Sequence, residues 1–152
     1  MRFIYDDGGR GDAGFKGRAG DCVARAVAVA SRRPYAEVYT ALSRGAGAER
    51  KSRGATARNG VHTTRKWFKD YMRSLGFVWT PTMAIGQGCR VHLIDGELPP
   101  GRLVVSVSKH LTAVVDGAIH DTHDPQRVAM WHQADGTITT SHRCVYGYWR
   151  LA

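Results

Sequence analysis

Helical and strand signals occupy different halves of this chain, and that segregation constrains its fold more than any other feature. Up to Gly76 the apolar residues recur at helical spacing. Asp21 stands as a helix N-cap before Cys22–Ala30, where Val23, Ala26, Val27 and Ala30 share one face. Pro34 opens a second helix to Ser43, with Tyr35, Val38, Tyr39 and Leu42 on one stripe. Thr63 or Thr64 caps a third helix through Leu75, with Trp67, Phe68, Tyr71 and Leu75 inward and Gly76 as its stop. Beyond Gly76 the pattern changes to short β-branched and aromatic runs at Phe77–Thr80, Arg102–Val107, Leu111–Val115, Ala118–Thr122, Val128–His132, Thr137–Thr140 and Cys144–Leu151. Asp116-Gly117 and Asp135-Gly136 each sit between two such runs, which is a strong hairpin signal. Helices first and strands second predict an α+β fold, with N-terminal helices packed on a C-terminal antiparallel sheet. Met1–Tyr5 is a further short strand. Met83–Leu93 has no clear period, and Leu98–Gly101 is a turn.

At 152 residues the chain fits a single domain, 1–152, with no internal repeat. It is long enough to bury a core without staples. No apolar stretch reaches the length of a membrane span, and Met1–Arg10 does not read as a signal peptide. Three cysteines without an export signal predict reduced thiols in a cytoplasm and no disulfide scaffold. The net charge of +9 lies wholly in the first half: residues 1–76 hold 16 Lys+Arg against 7 Asp+Glu, and residues 77–152 hold six of each. It is densest over 44–73, including the Gly45–Gly60 loop. An anionic partner, either nucleic acid or an acidic protein surface, fits such a stretch, as does a simple solvated face. The glycine-rich run Asp7–Gly20 lacks phosphate-loop or dinucleotide spacing and reads as a loop that lets backbone pass close to a neighbour.

Three residues have the types and order for nucleophilic catalysis. Cys22 falls in the first turn of a helix, where the dipole and free N–H groups favour a thiolate and can hold an oxyanion. A nucleophilic cysteine needs a base, and His110 begins the strand after Ser108-Lys109. A type I′ turn at Asp116-Gly117 pairs Val115 with Ala118 and Val114 with Ile119. That register makes His110 and Asp121 diagonal neighbours on one sheet face. A three-residue loop instead puts Asp124 opposite His110. Cys89 and His92, with His120, His123, His142 and Cys144 elsewhere, offer only one tight pair for zinc, where four ligands are wanted. No cofactor is implied. Tyr146, Tyr148 and Trp149 alternate as sheet-packing residues; a base-stacking platform needs them exposed beside the basic stretch.

Gly20-Asp21-Cys22-Val23-Ala24-Arg25-Ala26 resembles the nucleophile helix of papain-like cysteine peptidases. Lys109–Gly117 with Ala118–Asp121 is similar to their hairpin of His strand and acid strand. The closest flavour is the small bacterial and phage group that includes the bacteriocin-processing peptidases, and the chain also looks like small proteins of phages and other mobile elements. The resemblance covers the order of elements from about Gly14 to Asp124. It implies a cysteine peptidase or amide hydrolase with Cys22 as nucleophile, His110 as general base and then acid, Asp121 orienting the imidazole, and the Cys22 N–H in an oxyanion hole. Its substrate is then a protein or peptide, and its setting a bacterial cytoplasm or a phage. Many papain-like enzymes carry a Gln shortly before the cysteine. Phe15, Lys16, Gly17 and Arg18 stand there instead, leaving Lys16, Arg18 or another group as the second donor. The alternative is a non-catalytic protein of the same fold whose segment 44–73 holds nucleic acid or an acidic protein.

Overall fold

The computed structural model describes residues 1–49 and 56–152. In chain order the elements are β1 (Arg2–Tyr5), α1 (Cys22–Ser31), α2 (Tyr35–Gly47), α3 (Lys66–Ser74), β2 (Phe77–Pro81), β3 (Arg102–Val107), β4 (His110–Val115), β5 (Ala118–Asp121), β6 (Val128–His132), β7 (Ile138–His142) and β8 (Val145–Leu151). The class is α+β. Six strands form one sheet in the order β1-β5-β4-β3-β8-β2, while β6 and β7 make a separate two-stranded ribbon. The expectation of an antiparallel C-terminal sheet needs correcting: β1, from the chain's start, pairs parallel with β5, so the sheet is mixed. Of the expected Gly45–Gly60 loop, α2 takes the part to Gly47 and Thr56 bridges Gly60, while 50–55 lies outside the described residues. Among the described residues no helix is long and apolar enough to cross a membrane.

α1 is buried from Val23 through Ala30, which its run of Ala and Val permits because small side chains allow close approach on several sides. Its C-terminal carbonyls are satisfied by Arg102, whose Nε donates to the Ala30 oxygen at 2.9 Å and whose Nη2 donates to that of Val29. The glycine-rich loop before α1 behaves as its composition predicts. Gly8 sits at φ +67° and a Cβ there would stand 3.0 Å from the Arg25 carbonyl oxygen, so this loop's backbone lies directly on α1.

Alternation along the strands gives the sheet two apolar faces. Val104, Leu111, Ala113 and Trp149 pack with the helices, and Leu103, Val105, Val107, Val114 and Ile119 pack with Leu93 and Val145 on the other side. The β4–β5 turn has Asp116 at φ +47° and Gly117 at +81°, as a type I′ turn requires. Val115 opposes Ala118 and Val114 opposes Ile119, the register expected. His110 and Asp121 therefore share one face at the open end of this hairpin.

The expectation of unpaired cysteines is overturned by a Cys89–Cys144 disulfide. His92 bridges Cys144 at the start of β8, so the fold brings together residues 55 apart in sequence. That bond also removes Cys89 from any pairing with His92 as zinc ligands.

Candidate active site

Cys22 is the first residue of α1 and the free cysteine of the structure. Cys22, His110 and Leu111 line one cleft, and the His110 imidazole and the Leu111 N–H both act to lower the thiol. His110 Nε2 donates to Asp121 Oδ2 at 2.6 Å, so Nδ1 is the ring nitrogen left for the thiol. The structure thus brings Cys22 into one cleft with His110, which is hydrogen-bonded to Asp121. Asp124 is not part of it, because its carboxylate accepts from the Gln126 backbone N–H at 3.0 Å and from that residue's amide.

The electrostatics of the three groups favour an ion pair. Burial pushes the Cys22 thiol up, but the His110 and Leu111 hydrogen bonds and the charges of His110 and Arg25 outweigh it and leave the thiol below its usual range. Burial opposes the His110 cation as well. The Asp121 and Cys22 hydrogen bonds, with their charges, overcome that and raise the imidazole to about 9. Asp121 is buried, which disfavours its charge, yet pairing with His110 holds its carboxyl below the ordinary value. Both directions favour a thiolate beside an imidazolium.

Asp21 does something its position did not suggest. It makes no side-chain cap to α1. Instead its carboxylate, 1% exposed, is held by Arg25, by the Tyr35 hydroxyl and by Arg10 Nε at 3.1 Å. Arg25 lies one turn further along α1 and reaches Asp121 Oδ1 through Nη2 at 3.7 Å. A buried guanidinium therefore links the residue before the nucleophile to the carboxylate behind the base. Sequence reasoning missed Arg25 because a lone arginine among alanines carries no motif; the available signal was its i+4 spacing from Asp21.

The site opens into a cleft of about 660 Å³ whose lining includes Gly20, Cys22, Asn59, Val107, His110 and His123. The His123 ring stands 5.0 Å from that of His110. Asn59 also lines the cleft, its backbone lying close to Gly20, and is a second residue that sequence reasoning missed. Lys16 does not line this cleft, and Arg18 lines an adjoining recess with Asp21 and Arg25. Of the histidines weighed for zinc, His120 binds Asp6 Oδ2 through Nδ1 at 2.9 Å. Among the described residues no three His, Cys, Asp or Glu side chains gather as a metal site.

Set beside known proteins, the chain matches no protein-family model, no curated protein and no solved structure.

Proposed function

We propose that this chain is a papain-like cysteine hydrolase that cleaves amide bonds in peptides or proteins through an acyl-enzyme. The observation that carries this reading is the placement of Cys22, at the N-terminus of α1, in one cleft with a His110 that is hydrogen-bonded to Asp121. In the first half-reaction the Cys22 thiolate attacks the carbonyl carbon, and the electron pair moves to its oxygen. The Cys22 backbone N–H at the α1 N-terminus is the first donor to the developing oxyanion, and Asn59, which lines the same cleft, is the candidate for the second. Collapse breaks the C–N bond, and imidazolium His110 gives its proton to the departing amine. Water then attacks the thioester while neutral His110 takes its proton, releasing the acid and restoring the pair. Asp121 holds the ring orientation and stabilises the imidazolium throughout.

The test is labelling of Cys22 by a peptidyl acyloxymethyl ketone, read by intact mass, alongside cleavage of a peptide library. A single adduct on Cys22 that His110→Ala suppresses is expected. No adduct at Cys22, with no cleavage, refutes the reading.

The structure gives less support to a nucleic-acid interface over 44–73. Among its described residues Arg65 lies 3.7 Å from Glu49, and Lys66 and Arg73 both pair with Asp70. The Trp67 indole N–H donates to Glu49 at 2.6 Å, a further carboxylate contact within this stretch. The Cys89–Cys144 bond fits an oxidising compartment better than the bacterial or phage-associated cytoplasm expected from the cysteine count. Thiol counts on protein alkylated as cells are lysed decide between them.

A further inference from the structure

Beside the Cys22 cleft lies a second pocket of about 370 Å³, and the two share Thr63, Ser106, Leu111 and Tyr146. Leu111 follows His110 directly and lines both spaces, so the pocket begins one residue from the base. Its walls are aromatic. Trp149 on β8 is 4% exposed, and Trp79 opposes it on β2 with ring centroids 5.2 Å apart. Trp79 and Tyr146 remain 38% and 40% exposed, unusual for large rings with a buried neighbour. The placement of Trp79 depends on Gly147, where a Cβ would stand 2.3 Å from the indole. Lys69 and Arg73, one turn apart on α3, complete the lining. Among the described residues no carboxylate lines the pocket and Lys69 has no acidic partner, while Arg73 shares Asp70 with Lys66, at 3.3 Å from it.

We infer that this pocket is a substrate subsite for an acidic peptide segment, seating a bulky apolar side chain between the tryptophans and Tyr146 with a neighbouring Asp or Glu at Lys69 and Arg73. The inference rests on the reading of Cys22 as nucleophile. A peptide is the occupant because the pocket is continuous with the cleft, so one extended chain threads both. The apolar walls supply affinity and the cationic rim supplies discrimination, which is the usual division in a binding site.

The experiment compares two peptidyl acyloxymethyl ketones that both carry Phe for the pocket and differ in having Glu or Lys beside it. A small acyloxymethyl ketone without a peptide reports on Cys22 alone. In each case the thiolate displaces a carboxylate leaving group, forming C–S as C–O breaks. For wild-type protein in low salt the Glu probe labels about tenfold faster than the Lys probe, and the ratio shrinks at high salt because the rim charges are exposed. In Lys69→Glu/Arg73→Glu the preference reverses, with circular dichroism confirming the fold. Equal rates for the two peptide probes, with the small probe still labelling Cys22, overturn the subsite and leave the catalytic reading standing. Failure of the small probe as well removes both. An oligothymidylate that blocks the Glu probe and quenches tryptophan fluorescence at low salt overturns the occupant in favour of nucleic acid.

Discussion

Replacing Asp121 with Asn removes a charge from behind His110 while leaving an oxygen that can still accept from Nε2. The contact is short, at 2.6 Å, and lies in a largely buried setting. The elevation of the imidazole from its usual 6.5 to about 9 corresponds to a preference for the cation of about 3 kcal/mol. Part of the ring meets water and Cys22 supplies some of the elevation, so the share that leaves with the Asp121 charge is about 1.5–2 kcal/mol. Burial then acts on His110 with less opposition, and the thiolate loses its partner. The assay is the rate of Cys22 alkylation by iodoacetamide between pH 5 and 10, with Cys89 and Cys144 kept oxidised so that Cys22 alone reacts. Wild-type protein reaches its plateau at a lower pH than a free thiol does. Asp121→Asn loses about tenfold in rate or more near pH 6.5 and recovers toward the wild-type rate above pH 9. An unchanged profile in the variant, or a wild-type profile that rises only with an ordinary thiol, refutes the reasoning.

The remaining predictions concern the groups around the triad. Arg25→Met leaves Asp21 and Asp121 without their shared cation and lowers stability to urea by about 2–4 kcal/mol, less than a fully orphaned pair because Arg10, Tyr35 and His110 still hold the carboxylates; a loss under about 0.5 kcal/mol would mean that the network is not a structural element. Asn59→Ala lowers kcat on a cleaved peptide by about 10²-fold with little change in KM, as expected for a donor used in the transition state; a pure KM effect contradicts that role. Stability against pH tests the ion pair through opposing signs. The raised His110 stabilises fully below 6.5 and its contribution is lost as pH rises through about 9, whereas the depressed Cys22 contributes progressively more across the same window. The two oppose each other in wild-type protein, so urea stability falls less steeply from pH 6.5 to 9 than His110 alone would make it fall. Cys22→Ser removes one side, leaves His110 raised by Asp121, and gives a stability that falls with rising pH; equal slopes in both proteins exclude the pair. Asp121 acts at the other end, its contribution present above 3.8 and lost as pH falls below it.

What the sequence made legible follows from how locally each feature is encoded. Asp116-Gly117 dictates a two-residue turn, the turn dictates the register, and the register alone places Asp121 rather than Asp124 behind His110. The Ala and Val of α1 announced a helix buried on several sides. Three features were hidden because they are made by distant parts of the chain. β1 joins β5 in parallel across more than a hundred residues, and nothing in Arg2–Tyr5 specifies a partner. Cys89 sits in a segment without periodicity, so its approach to Cys144 had no local signal. Asp21 has the identity and position of an N-cap, but a buried tyrosine and two arginines compete for its carboxylate and win. The N-terminal charge likewise acquired a location. Part of it rims a pocket next to Cys22, and part is neutralised by Glu49 and Asp70.

The claim at the centre of this account is that Cys22 becomes acylated and that His110 drives it. Acid quenching of the protein during turnover of an activated peptide ester, followed by intact mass and peptide mapping, measures this directly. The expected result is a burst of acyl adduct on Cys22, labile to hydroxylamine, absent in Cys22→Ser and formed at least a hundredfold more slowly in His110→Ala. An unmodified Cys22 during turnover, or acylation that proceeds at the same rate without His110, contradicts it.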